Sequence, residues 1–303
     1  VKRGTPTGKR EEPTTDARDQ HSPYELDDWF PRMTVDNHIR RRHEPVEAKV
    51  PEITASFWVL KLLTTAMGEA ASDYLLSTMS FVGLGLGAAG FAFALWVQFR
   101  TRRYNPIAYW AAVMMIAVFG TMAADILHHQ LGVSFGMSTA ACAIAVAATL
   151  WAWNRVEHSL SIHSITTRRR EVFYWLTVSF TFALGTAAGD LTASQLHFGF
   201  VGSIVLFAVV MAVPALGCWR FRLNSVLAFW WAYIVTRPLG ASVADWLSKP
   251  AQSGGLAYGD GPVAAILLAF ALVLVTFAAI RRPNVVGAWA GEIADYSAPT
   301  FKP

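Results

Sequence analysis

The stretch WAAVMMIAVFGTMAAD, Trp110 to Asp125, decides how this chain folds. It is apolar apart from Thr121 and the closing aspartate, with a glycine ten residues after the tryptophan and the aspartate five residues after the glycine. The same frame recurs as Trp58–Gly68–Asp73, Trp175–Gly185–Asp190 and Trp230–Gly240–Asp245. An acid at one fixed place on four apolar stretches is not what packing alone selects. It predicts four equivalent helices that share a polar site inside a membrane.

Outward from each frame the chain stays apolar. A run of about twenty such residues spans a bilayer, and eight runs can be read, near 54–76, 80–99, 106–127, 134–153, 171–192, 199–219, 225–247 and 261–281. Motif-bearing runs alternate with runs almost free of ionisable groups. The expectation is an all-α polytopic membrane protein of about eight transmembrane helices, arranged as four parallel helical-hairpin repeats near 51–103, 104–168, 169–223 and 224–282. A content of 54% hydrophobic and 15% charged residues fits that class and not a soluble domain of 303 residues.

The net charge of +4 does not point to nucleic acid, because the basic residues gather at helix ends: Arg100, Arg102 and Arg103, then Arg155 and Arg168 to Arg170, then Arg220 and Arg222, then Arg281 and Arg282. Lys249 is the exception among the opposite loops. This bias places the basic loops and both termini in the cytoplasm. Residues 1–50 are polar and charged with little periodicity, so a disordered cytoplasmic tail is expected there, and residues 283–303 read as a second tail. No short apolar run follows the early charges, so no secretory signal is expected. Met33 is the first methionine and a candidate start, with Arg40 to Arg42 as the anchor before the first helix. Cys142 and Cys218 lie in apolar runs and read as small core residues.

Helical geometry names the companions of the aspartates. Four residues earlier, on nearly the same face, come Glu69, Thr121, Thr186 and Ala241; seven earlier come Ala66, Val118, Ala183 and Pro238. This predicts an inward stripe of oxygen donors around an uncrowded space, suited to a hard cation or a proton relay. Lys61 and Arg237 read as internal counter-ions for the carboxylates. Two positive groups stand against Glu69, Asp73, Asp125, Asp190 and Asp245, and an ionisable group at mid-bilayer costs roughly 2.5–3.5 kcal/mol. A bound cation or protonation would relieve the excess.

His128 and His129 follow Asp125 at i+3 and i+4, and His197 follows Asp190 by seven. Carboxylate with imidazole suits Mn²⁺, Zn²⁺ or Fe²⁺, so His129 joins the candidate ligands, against a plain interfacial role for both histidines. A haem held by His129 and His197 is disfavoured because both sit at helix ends. The motif glycine lies about 140° from the aspartate and reads as a packing site. The four tryptophans, with Phe57, Tyr109, Tyr174 and Phe229 or Trp231 beside them, read as an interfacial aromatic belt. Only the first copy carries Glu69 and Lys61, and only the fourth has Ala241 with Arg237, which favours an asymmetric site over a four-fold pore.

Val50 to Thr54, Phe57–Trp58, Lys61, Thr64–Thr65, Gly68–Glu69 and Ser72–Asp73 resemble the start of a bacterial family of uncharacterised membrane-anchored proteins built from a repeat of unknown function. The other three copies are similar to its further repeats, over about residues 50–282. The resemblance implies a multi-pass protein of the bacterial inner membrane and supplies no substrate.

Two functions follow as expectations. One is a gradient-coupled secondary transporter of a cation, with a divalent metal ahead of a monovalent ion. Glu69, Asp73, Asp125, His129, Asp190 and Asp245 would be its ligands, and Thr121 and Thr186 secondary oxygens. The other is a non-transporting scaffold or sensor whose acids only pair helices or cap their ends. No GxxxxGK[ST] loop, HExxH helix or GxSxG elbow is present, so neither nucleotide-driven transport nor an enzyme is expected. No cofactor is expected. The partners are the lipid bilayer and a metal cation or proton, not nucleic acid, and self-association is compatible with the sequence.

Overall fold

A computed structural model describes residues 48–221 and 224–280, the side chains of His129, Cys218, Trp219 and Phe221 excepted. Of the tail expected at 1–50 only residues 48–50 are described, and they are ordered against the bundle, Lys49 ion-pairing with Glu171 at 2.7 Å and Val50 buried. Residues 1–47 and the tail at 283–303 lie outside the described residues. All regular structure described is helical: α1 (Ala55–Arg100), α2 (Pro106–Asp125), α3 (Phe135–Glu157), α4 (Arg168–Asp190), α5 (Gly199–Phe221), α6 (Ser225–Ser248) and α7 (Asp260–Ile280). These seven helices are long and apolar enough to cross a bilayer. The eight expected spans are present because α1 is two arms. Ser80 leaves helical geometry (φ 44, ψ −116), and a Cβ at Gly83 would lie 2.4 Å from the Leu75 carbonyl oxygen. Residues eight apart in a straight helix are about 12 Å apart along its axis, so the chain doubles back at Ser80.

The four motif helices (the first arm of α1, then α2, α4 and α6) begin on side-chain caps. Thr54, Asn105, Thr167 and Asn224 accept from backbone amides of the first turn. They then close a ring, and the motif glycines set its geometry. A Cβ at Gly68 would lie 2.2 Å from Ala117 Cβ; at Gly120, 2.8 Å from Phe182 Cβ; at Gly185, 2.1 Å from Arg237 Cγ; at Gly240, 2.5 Å from Thr65 Cγ2. Each glycine therefore seats on the residue three before the glycine of the next helix, and the fourth returns to the first. The packing role expected of these glycines is what the structure has, and the contacts make the four helices parallel.

The remaining arms form an outer wall by a second cyclic rule. Each leans on the motif helix of the following repeat: the second arm of α1 on α2, α3 on α4, α5 on α6 and α7 on the first arm of α1. Gly87 faces Met122 and Gly90 faces Met115, so this arm runs antiparallel to α2. Large apolar side chains such as Phe81, Phe93, Ile144, Val209 and Phe270 lie exposed on this wall. A continuous apolar exterior of this kind is what lipid covers.

The aromatic belt is a correction. Trp110, Trp175 and Trp230 are 2%, 2% and 3% exposed, and they pack inward. Trp110 meets Phe57 and Tyr109, Trp175 meets Tyr109 and Tyr174, and Trp230 meets Trp153 and Tyr174. A tryptophan at a helix start suits a lipid headgroup or a helix neighbour equally well. Here the ring places these three on the inside, as a plug that closes one end of the bundle.

Candidate functional site

Because each motif glycine fixes the approach of its neighbour, the residues just after it meet at the bundle axis. Glu69, Thr121 and Thr186 converge there: the Thr121 hydroxyl lies 3.0 Å and the Thr186 hydroxyl 3.3 Å from Glu69 Oε2. Arg237 completes the layer. Its chain occupies the space that a side chain at Gly185 would take. Its guanidinium ion-pairs with Glu69 at 2.9 Å, donates to Thr186 at 2.9 Å and also donates to Thr121. Arg237 and Glu69 are nearly inaccessible to solvent, so this is a closed polar lock across four helices. The inward stripe was legible as far as the acid and two hydroxyls. The uncrowded space is corrected: Phe182 and Arg237 fill the axis.

At the aspartate end lies a chamber of about 490 Å³ lined by Asp73, Ser77, Asp125, Gln130, Lys249 and Asp260, among others; Glu69, Asp190 and Asp245 are not in its lining. Carboxylate oxygens of Glu69, Asp73 and Asp245 lie within 4.8 Å of one another. Lys249 Nζ sits 2.5 Å from Asp73 and 3.2 Å from Asp260. Burial works against its charge, but Asp73, Asp245 and Asp260 outweigh it and hold the ammonium above the ordinary lysine range. Among the described residues no hydrogen bond or ion pair reaches the carboxylates of Asp125, Asp190 or Asp245. The side chains of Lys249 and Asp260 remain 29% and 23% exposed, so this end is open to solvent.

Three expectations fare differently. Lys61 does not reach a carboxylate. Its Nζ lies 3.9 Å from the Phe182 ring centroid and 4.2 Å from that of Tyr233, with no hydrogen-bond partner. The counter-ion that does reach the chamber is Lys249, four residues past Asp245 and isolated from the Arg-rich loops of the other end; that isolation was its signal. Asp260, opening α7, had none. Of the two histidines just after Asp125, only the side chain of His128 is described. A widened five-residue turn, Ile126–Gln130, follows Asp125, as Leu191–Gln195 follows Asp190. It turns His128 to the Val133 carbonyl (2.8 Å) and onto the Phe135 ring. The side chain of His129 lies outside the described residues, and His197 is exposed on a left-handed turn (φ 58).

The fold and site define a multi-pass, all-helical membrane protein of four cyclically packed hairpins with an acidic chamber at one end. The sequence profile of the family described as Repeat of Unknown Function (DUF347) matches at residues 56–104, 108–159, 173–224 and 228–284, and the chain belongs to that family. No curated protein and no solved structure matches.

Proposed function

We propose that the protein is a secondary transporter that moves a cation, a divalent metal of the Mn²⁺ kind, across the bacterial inner membrane. The observation that carries this reading is the cluster of Glu69, Asp73 and Asp245 oxygens within 4.8 Å, beside a chamber whose lining, among the described residues, holds one lysine, Lys249. Arg237 and Lys249 offset the charges of Glu69 and Asp73, and the third carboxylate, Asp245, is left for a proton or a metal to neutralise. Asp125, in the chamber lining, adds a donor.

In this reading Lys249 occupies Asp73 and Asp260 until cargo displaces it. The Glu69–Arg237 lock bars the way beyond the chamber, and the aromatic plug closes the far end. The basic loops put the termini in the cytoplasm, so the chamber faces the exterior. With no nucleotide-binding loop, coupling falls to an ion or proton gradient.

A second reading, the scaffold, draws on a specific observation: Glu69 and Asp73 are each already ion-paired. Flux of Mn²⁺ into proteoliposomes separates the two. Transport requires flux in the native protein, lowered at least about tenfold in both Asp125→Asn and Asp245→Asn. A native protein that neither carries nor is stabilised by Mn²⁺ leaves the scaffold.

A further inference from the structure

Between the lock and the aromatic plug lies a second charged layer that the chamber does not use. Lys61 and Thr65 are four residues apart on α1 and share a face; Tyr233 and Arg237 do the same on α6. The two faces meet: Lys61 Nζ lies over the Tyr233 ring, and Arg237 donates to the Thr65 carbonyl at 3.4 Å. Phe182 of α4 covers both cations, its centroid 3.9 Å from Lys61 Nζ and 5.0 Å from Arg237 Cζ.

Lys61 Nζ, Arg237 Nε and the Thr65 hydroxyl are all buried here without a hydrogen-bond partner. The Tyr233 hydroxyl interacts with the neighbouring Tyr109–Tyr174 pair and does not join this donor set. All three atoms of the set can donate, and the lysine and arginine nitrogens can only donate. Arg237 spends its charge on Glu69. Lys61 has no carboxylate partner, and on its own helix the next acid toward the chamber, Glu69, is about 12 Å further along the axis.

We propose that this layer binds one small monovalent anion of the halide class, held by Lys61, Arg237 Nε and the Thr65 hydroxyl. A water molecule satisfies the donors only if Lys61 gives up its proton, because an uncompensated ammonium in a low-dielectric interior is strongly unfavourable; an anion lets Lys61 keep its charge. A halide satisfies both needs. The aromatic rings support the ammonium through their faces.

The test uses the whole protein, extracted and purified throughout in gluconate or in bromide. Bromide should raise the thermal midpoint by about 5 °C, the size expected for one ligand at about a hundred times half-saturation. Lys61→Met should abolish the shift and Thr65→Val should reduce it. Crystals of the native protein grown in bromide should show an anomalous peak between α1 and α6, which decides the matter even if the Lys61 variant does not fold. Equal midpoints with no peak would mean an uncharged Lys61 or water alone, and the proposal falls. A shift retained in full by a folded Lys61→Met protein places the anion elsewhere and equally defeats it. Asp125→Asn should keep the bromide shift whatever it does to cation flux, so this site and the acidic chamber succeed or fail separately.

Discussion

Gly240, the motif glycine of the last repeat, rests on Thr65 of the first. A Cβ there would stand 2.5 Å from Thr65 Cγ2 and 3.2 Å from the Ala66 backbone nitrogen. This one contact turns a row of four helices into a closed ring. It also brings Arg237 beside the first arm, where its guanidinium reaches Glu69 and fills the axis.

The ring glycines should therefore be far less tolerant than other glycines of the same chain. Gly68→Ala would press a methyl against Ala117, whose backbone carbonyl carbon is already 2.9 Å from the new Cβ. Overpacking of this kind costs about 1–3 kcal/mol. Gly85→Ala and Gly136→Ala, where nothing lies within 4 Å, should be neutral or slightly stabilising. Thermal unfolding in detergent reads the difference, and equal midpoints would contradict the ring.

Removing one partner of the lock should cost more than removing both. Arg237→Met leaves Glu69 buried with only two hydroxyls, a loss of about 3–5 kcal/mol by the behaviour of broken buried pairs. The double variant Glu69→Met with Arg237→Met should recover much of that loss. A double variant as unstable as the sum of the singles would show that the two side chains are not coupled.

Lys249→Met should tighten cation binding to the chamber. The ammonium competes for Asp73 and Asp260, and its removal leaves the carboxylates one positive charge poorer. An affinity gain of about tenfold for Mn²⁺ corresponds to about 1.4 kcal/mol of released competition. Titration by calorimetry or by thermal shift measures it. Weaker Mn²⁺ binding in the variant would instead make Lys249 a structural strut.

The tryptophans should behave as core. Trp110→Ala empties a buried site and should cost about 3–5 kcal/mol, whereas Trp96, which is 53% exposed on the outer wall, should tolerate alanine at little cost. Brominated lipids should quench Trp96 and Trp151 strongly and spare Trp110, Trp175 and Trp230. Equal quenching would return the motif tryptophans to the lipid interface.

The intervals along the chain determined a great deal. A fifteen-residue frame written four times fixed the helices, their common direction and the level of the aspartates, because rise and turn per residue are constant in an α-helix. The same regularity put Glu69, Thr121 and Thr186 on the aspartate face and the glycines on another. Spacing could not say which neighbour each face would meet. That was settled by the ring, which turned the tryptophans inward, sent Arg237 to Glu69 and left Lys61 among aromatic rings.

Lys249 and Asp260 entered the site from a connection whose path depends on how α6 and α7 are held. His128 met the Val133 carbonyl and the Phe135 ring because a widened turn changed the angle per residue just past Asp125. A sequence records distance along each helix. The direction each side chain finally faces is a property of the packed assembly, because burial and ion pairing are won only between helices.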